Sequence, residues 1–195
     1  MQYIAVNVEH KCVQAFDVAQ RDIEAAERTP VDVFWQNLQA LCGQAFAGQM
    51  VEGTAASDAA FKEQRLVMHV RACSENEIRI PFHVGANRSR TWVITRTATG
   101  LRLKHDHRHE DGSEDQVTQY GGDTTGAGTA EWQDFPADEF TAKLIPAAKT
   151  NIWTLKLVPG KTFGYGLRRE AEGRCFRVEF DLTKPIEPPP PPWGS

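Results

Sequence analysis

The chain has 195 residues, 41% of them hydrophobic and 25% charged, with a formal charge of −4. That length suits one domain with a sizeable core, and a pI near 5.9 gives no general attraction to nucleic acid or anionic lipid. No apolar run reaches the ~20 residues of a membrane span, and Asp, Glu and Arg interrupt any signal-peptide core near the start.

As written, the chain is expected to be cytoplasmic; a different true start would allow a periplasmic or secreted protein. Residues 1–43 are expected to form a strand and helices that pack on a β-domain at 44–183, followed by a proline-rich tail at 184–195. Tyr3–Val8 alternate as a short strand would, and Phe16, Gln20, Ile23 and Ala26 then fall at helical spacing. Thr29-Pro30 ends that helix and begins another. Thr29 suits the N-cap, Pro30 the first helical position, and Asp32 the positive helix end. Val31, Phe34, Trp35, Leu38 and Leu41 form one apolar stripe, and Gly43 stops the helix.

Beyond Gly43 the hydrophobic period becomes two. Strands are expected at Gln44–Val51, Leu66–Cys73, Glu77–Val84, Ser89–Thr97, Leu101–His109 and Gln116–Tyr120. Others follow at Gly128–Gln133, Phe140–Ile145, Ile152–Val158, Thr162–Arg169 and Arg174–Leu182. The intervening turns Ser74-Glu75-Asn76, Ala98-Thr99-Gly100, Asp111-Gly112, Pro159-Gly160 and Glu172-Gly173 are too short for βαβ crossovers. The expected fold is therefore mainly β: an antiparallel meander of about ten strands closed into a barrel, with a β-sandwich as second choice.

Cys12, Cys42, Cys73 and Cys175 contain no CxxC pair, which excludes zinc-ribbon and thioredoxin motifs. Free buried thiols are the preferred reading of Cys42 and Cys73, with a disulfide between them if the protein is exported. The tail, with Pro185, Pro188–Pro192 and Trp193, favours an extended polyproline conformation outside any sheet. It is expected to lie on the domain or move freely, and its alternative use is contact with a protein partner.

The chemically distinctive stretch is Leu101–His109. Its odd positions run Leu101, Leu103, His105, His107, His109, and its even positions are Arg102, Lys104, Asp106 and Arg108. Successive side chains of a strand point to opposite faces, so the charged set should meet water and the odd set should face inward. A hairpin turning at Thr97–Gly100 would oppose Arg96 to Leu101, Ile94 to Leu103, Trp92 to His105 and Arg90 to His107. In that register Arg96 reaches out to water, and Arg90, Trp92, His105 and His107 gather at one end of the interior. Arg90 should then lower the pKa of both histidines. Trp132, Trp153, Phe163 and Tyr165 also fall at inward positions, while His69 and His83 are expected at the surface.

Three functions compete for this cluster. The leading one is a non-enzymatic small-molecule site with a polar mouth, contacted by Arg90, Trp92, His105, His107, Tyr120, Trp153 and Tyr165 and needing no cofactor. The alternative is a metal-dependent enzyme holding zinc, iron or manganese through His107, His109 and Glu114. Alternate histidines lie ~6.7 Å apart at Cα, within reach of one ion, whereas His105 and His109 span ~13 Å. The third is a structural or interaction module whose barrel is filled with side chains. The glycine-rich run Gly121–Gly128 has no GK[ST] and is expected to be a hairpin or lid loop.

Three resemblances attach to these residues. The segments Asn87–Val93 (NRSRTWV), His105–Gly112 (HDHRHEDG) and Phe176–Leu182 (FRVEFDL) resemble an uncharacterised bacterial protein family, which implies a bacterial source and, if the protein is exported, the Cys42–Cys73 disulfide. The helix ending in Leu41-Cys42-Gly43, with Phe46 and Gly48 leading into the meander, resembles calycin-like barrels of the lipocalin and nitrobindin type and implies a ligand inside the barrel. His107, His109, Glu114 and Gly121 resemble the first metal motif of cupins, with the leading glycine one residue early and no second motif.

Overall fold

The computed structural model describes residues 28–195. The strand expected at Tyr3–Val8, the helix from Val13 and Cys12 lie outside the described residues. Helix α1 (Pro30–Gln39) begins as expected. Thr29 accepts from the Asp32 backbone N–H, the Asp32 carboxylate accepts from the Thr29 backbone N–H, and Pro30 occupies the first turn. Its buried face is Phe34, Trp35 and Leu38.

The strands are β1 (Ala45–Gly53), β2 (Leu66–His69), β3 (Ala72–Cys73), β4 (Glu77–Val84), β5 (Asn87–Arg96) and β6 (Leu101–His107). They continue with β7 (Tyr120–Asp123), β8 (Trp132–Pro136), β9 (Ile152–Val158), β10 (Thr162–Arg169) and β11 (Arg174–Ile186). Two short helices interrupt them, α2 (Ala59–Lys62) and α3 (Glu139–Leu144). The sheet order is β7-β6-β5-β4-β2-β1-β11-β10-β9-β8, with β3 beside β4. All pairings are antiparallel, and the first and last strands of the barrel pair with each other. Ten strands thus form an almost closed barrel around one aromatic and aliphatic core. None of the described helices is long and apolar enough to cross a membrane.

The seam lies between β7 and β8, where side-chain volume decides the closure. A Cβ on Gly122 would stand 1.8 Å from the Pro136 carbonyl oxygen, and one on Gly121 would stand 1.9 Å from that of Leu103. Gly121 also has a φ of +152°, a value L-residues rarely adopt. With both side chains absent, the Asp138 N–H donates to the Gly121 carbonyl, and the Thr141 hydroxyl bridges the Gly121 backbone from α3. The glycine run is therefore strand at its start, and β7 lies four residues beyond the Gln116 start expected from periodicity.

The structure revises several other expectations. Phe140–Ile145 is mostly the helix α3, capped by Asp138, whose side chain accepts from the Thr141 N–H. β8 begins at Trp132 and runs to Pro136, so Trp132 sits on the outer face and is 41% exposed. His83 is buried, not superficial. β11 continues to Ile186, pairing Pro185 with Phe46; its pairing with β10 stops at Asp181, so Pro185 lies where the strand is paired on one side alone. The tail beyond it lies on the domain, where Arg88 Nη1 donates to the Pro191 carbonyl and the Trp193 N–H to that of Arg88. Cys42 and Cys73 are joined as a disulfide that ties the end of α1 to β3.

Candidate functional site

The expected hairpin register is the one observed: Arg96 opposes Leu101, Ile94 Leu103, Trp92 His105 and Arg90 His107. Arg96 does not end in water. Its Nη2 lies 2.5 Å from Asp32 and its guanidinium covers Trp35, so α1 closes the end of the barrel where β5 turns into β6. Leu101 and Leu103 fill that end. Four residues on, β6 turns polar inside, and His105 and His107 mark the opposite end. On the other face Asp106 is buried at 4% exposure, held between Arg79 (2.6 Å) and Arg108 (2.8 Å).

At the histidine end lies a cavity of about 300 Å³. Arg90, Trp92, His105, His107, Tyr120, Trp153 and Tyr165 all line it. Tyr120 arrives there by a local device. Gln119 has a φ of +58° and its N–H donates to the His105 carbonyl, which turns the next side chain inward. The Tyr120 ring stacks on His105 at 4.4 Å. Trp92 is sandwiched between Phe82 (4.7 Å) and Tyr165 (4.4 Å), and Trp153 leans on His105 at 5.2 Å.

The hydrogen bonds fix how His105 is used. A carbonyl only accepts, so His105 Nδ1–H donates to the Tyr120 carbonyl (3.0 Å), and Nε2 accepts from the Tyr165 hydroxyl (2.8 Å). Burial pushes this imidazole down to about 3, so it stays neutral, and burial likewise drives the Tyr165 hydroxyl well above its ordinary value. His107 is held down to about 4, first by burial and then by Arg90, while Asp115 and Asp106 oppose the shift. The Tyr120 hydroxyl shares a 3.1 Å hydrogen bond with His107 Nε2, and burial raises that hydroxyl to about 12. The effect expected from Arg90 is present at His107 alone, second to loss of water; at His105 the fall comes from burial, with smaller contributions from His107 and Lys104.

Charge in the cavity is unbalanced. Asp58 lines it but is committed to Arg174, which it meets through two bonds of 2.7 Å. Arg169 reaches Glu172 (2.6 Å) and the Ala147 carbonyl (3.0 Å), and among the described residues its buried Nε has no partner. Arg90 donates to Asn87 Oδ1 (3.1 Å) and lies over the Phe61 ring, and among the described residues it meets no carboxylate. Asn151 Oδ1, from the segment leading into β9, is also buried and has no partner among the described residues. Such atoms are costly when left unmet, and a bound molecule is one way to meet them.

The metal set does not assemble. His109 lies outside β6 and is exposed, Glu114 pairs with Arg108 at 3.0 Å, and His107 is engaged with Tyr120. Among the described residues no three His, Cys, Asp or Glu side chains are grouped to hold an ion.

Sequence reasoning missed Asp58, Phe61, Phe82, Asn151, Leu167, Arg169, Arg174 and Phe176, which also line the cavity. Phe82 was accessible, since it opposes Arg90 across β4–β5. Leu167 and Phe176 oppose each other across β10–β11 and follow from the same logic. Asp58, Phe61 and Asn151 come from connections without periodicity and carried no signal. No family model, curated protein or solved structure matches the chain.

Proposed function

We propose that the protein is a non-enzymatic binding domain that holds a small, ring-bearing molecule in the histidine end of its barrel. One observation carries this: a cavity of about 300 Å³ walled by Phe82, Trp92, Tyr120, Trp153 and Tyr165, with polar atoms at Arg169 Nε and Asn151 Oδ1 unmet among the described residues. Concave, mostly apolar sites with a few convergent polar groups are the usual form of a small-molecule site. A filled structural barrel would leave no such space. The calycin-like resemblance of the sequence, whose members enclose ligands, points the same way. The Cys42–Cys73 disulfide favours an oxidising compartment over the cytoplasm as the protein's place of work.

The test is saturable binding of naphthalene-sized probes by tryptophan fluorescence, repeated with Leu167→Trp to occupy the cavity. Saturable quenching in the native protein and its loss in a folded L167W variant are expected. Quenching that never saturates, or that persists unchanged in L167W, would overturn the assignment.

A further inference from the structure

We propose that the cavity takes an aromatic monocarboxylate, its acid group paired with Arg90 and its ring laid against the aromatic walls. This rests on the binding role argued above and names the class of ligand.

The charge arrangement points to an anion. Among the described residues three arginines line the cavity against one aspartate, and that aspartate is already held by Arg174. His105 and His107 are both neutral imidazoles at neutral pH, so neither adds a charge to the chamber. Arg90 is the cation left over. Its guanidinium is fixed in place by Asn87 Oδ1 and by the Phe61 ring at 5.7 Å, so little ordering remains to be done when a carboxylate arrives. A guanidinium presents donors in a planar fork that matches a carboxylate. Arg169 Nε, buried and without a partner among the described residues, offers one further donor within the same walls.

One uncommitted guanidinium suits a single negative charge better than a dianionic phosphate, whose second charge would stay unpaired in an apolar chamber. The body of the ligand follows from the walls. Phe61, Phe82, Trp92, Trp153 and Phe176 line the cavity, and a flat ring meets such aromatic walls at better contact than a flexible chain does.

The experiment compares 2-naphthoate with its neutral near-isostere 2-naphthamide by titration calorimetry on the full chain. The acid is expected to bind at least about ten-fold more tightly, a difference of ~1.4 kcal/mol. In Arg90→Gln the ten-fold preference for the acid should disappear, and Arg90→Lys should retain part of it. Equal affinity for acid and amide in the native protein, or a preference that survives R90Q, would overturn the ligand class and leave the binding role standing. Failure of both compounds to bind would remove the binding role and this proposal with it.

Discussion

The buried imidazoles set how the protein responds to acid. His105, His107 and His83 all titrate below their ordinary 6.5 in the folded chain, at about 3, about 4 and about 4, burial being the main cause for each. The unfolded chain therefore binds more protons than the native one between these values, and stability must fall as pH drops from about 6.5 towards 4. His83 isolates the effect, because its buried Nε2 makes no hydrogen bond among the described residues. His83→Phe is expected to match or exceed native stability at pH 7 and to recover on the order of 1 kcal/mol at pH 5. Melting curves across that range check this, and an unchanged pH slope in H83F would contradict it. Arg90 and Tyr120 belong to the same scale. One is an uncommitted cation and the other is turned inward by a strained neighbour, so the chamber's polar edge depends on a few backbone and charge details.

Among the elements, the seam is the most demanding. Gly122→Ala would press a methyl group into the Pro136 carbonyl, whereas Gly164→Ala on β10 would meet its nearest atom, Lys156 Cβ, at an ordinary 3.6 Å. The first is expected to cost about 3 kcal/mol or more and the second under about 1 kcal/mol, measured by denaturant unfolding. Equal effects would mean that the seam does not hold the barrel shut. This contrast also explains what could be read from the chain. β4, β9 and β10 follow from strict alternation between clear turns, and the β5–β6 register follows from opposing Ile94 to Leu103. The elements that escaped are governed by contacts distant in sequence. Gly121 and Gly122 look like loop residues until the β6 and β8 backbones stand against them. Phe140 alternates as in a strand, yet Asp138 caps a helical turn there. Trp132 looks like an inward aromatic until Gln133 and Phe135 take the inward positions of β8 and alternation turns it out.

For the whole molecule, the disulfide and the plug act together. Cys42 and Cys73 are separated by 31 residues, and their bond ties α1 to the sheet at the end opposite the cavity. Replacing both with serine should lower stability by about 3 kcal/mol, or roughly 10 °C in Tm, with the native protein in reductant matching the variant. Ligand affinity should hardly change, since neither cysteine lines the chamber. A variant as stable as the native chain would show that the plug needs no covalent tie.

The central claim is that the histidine end is a ligand chamber, and the tryptophans report on it directly. Trp92 and Trp153 line the cavity, Trp35 is buried in the plug, and Trp132 stands on the outer face. An NMR titration of the indole N–H signals with 2-naphthoate should move Trp92 and Trp153 together and to saturation, with Trp35 and Trp132 nearly still. Shifts confined to Trp132, or no saturable shift at Trp92 and Trp153, would contradict the account.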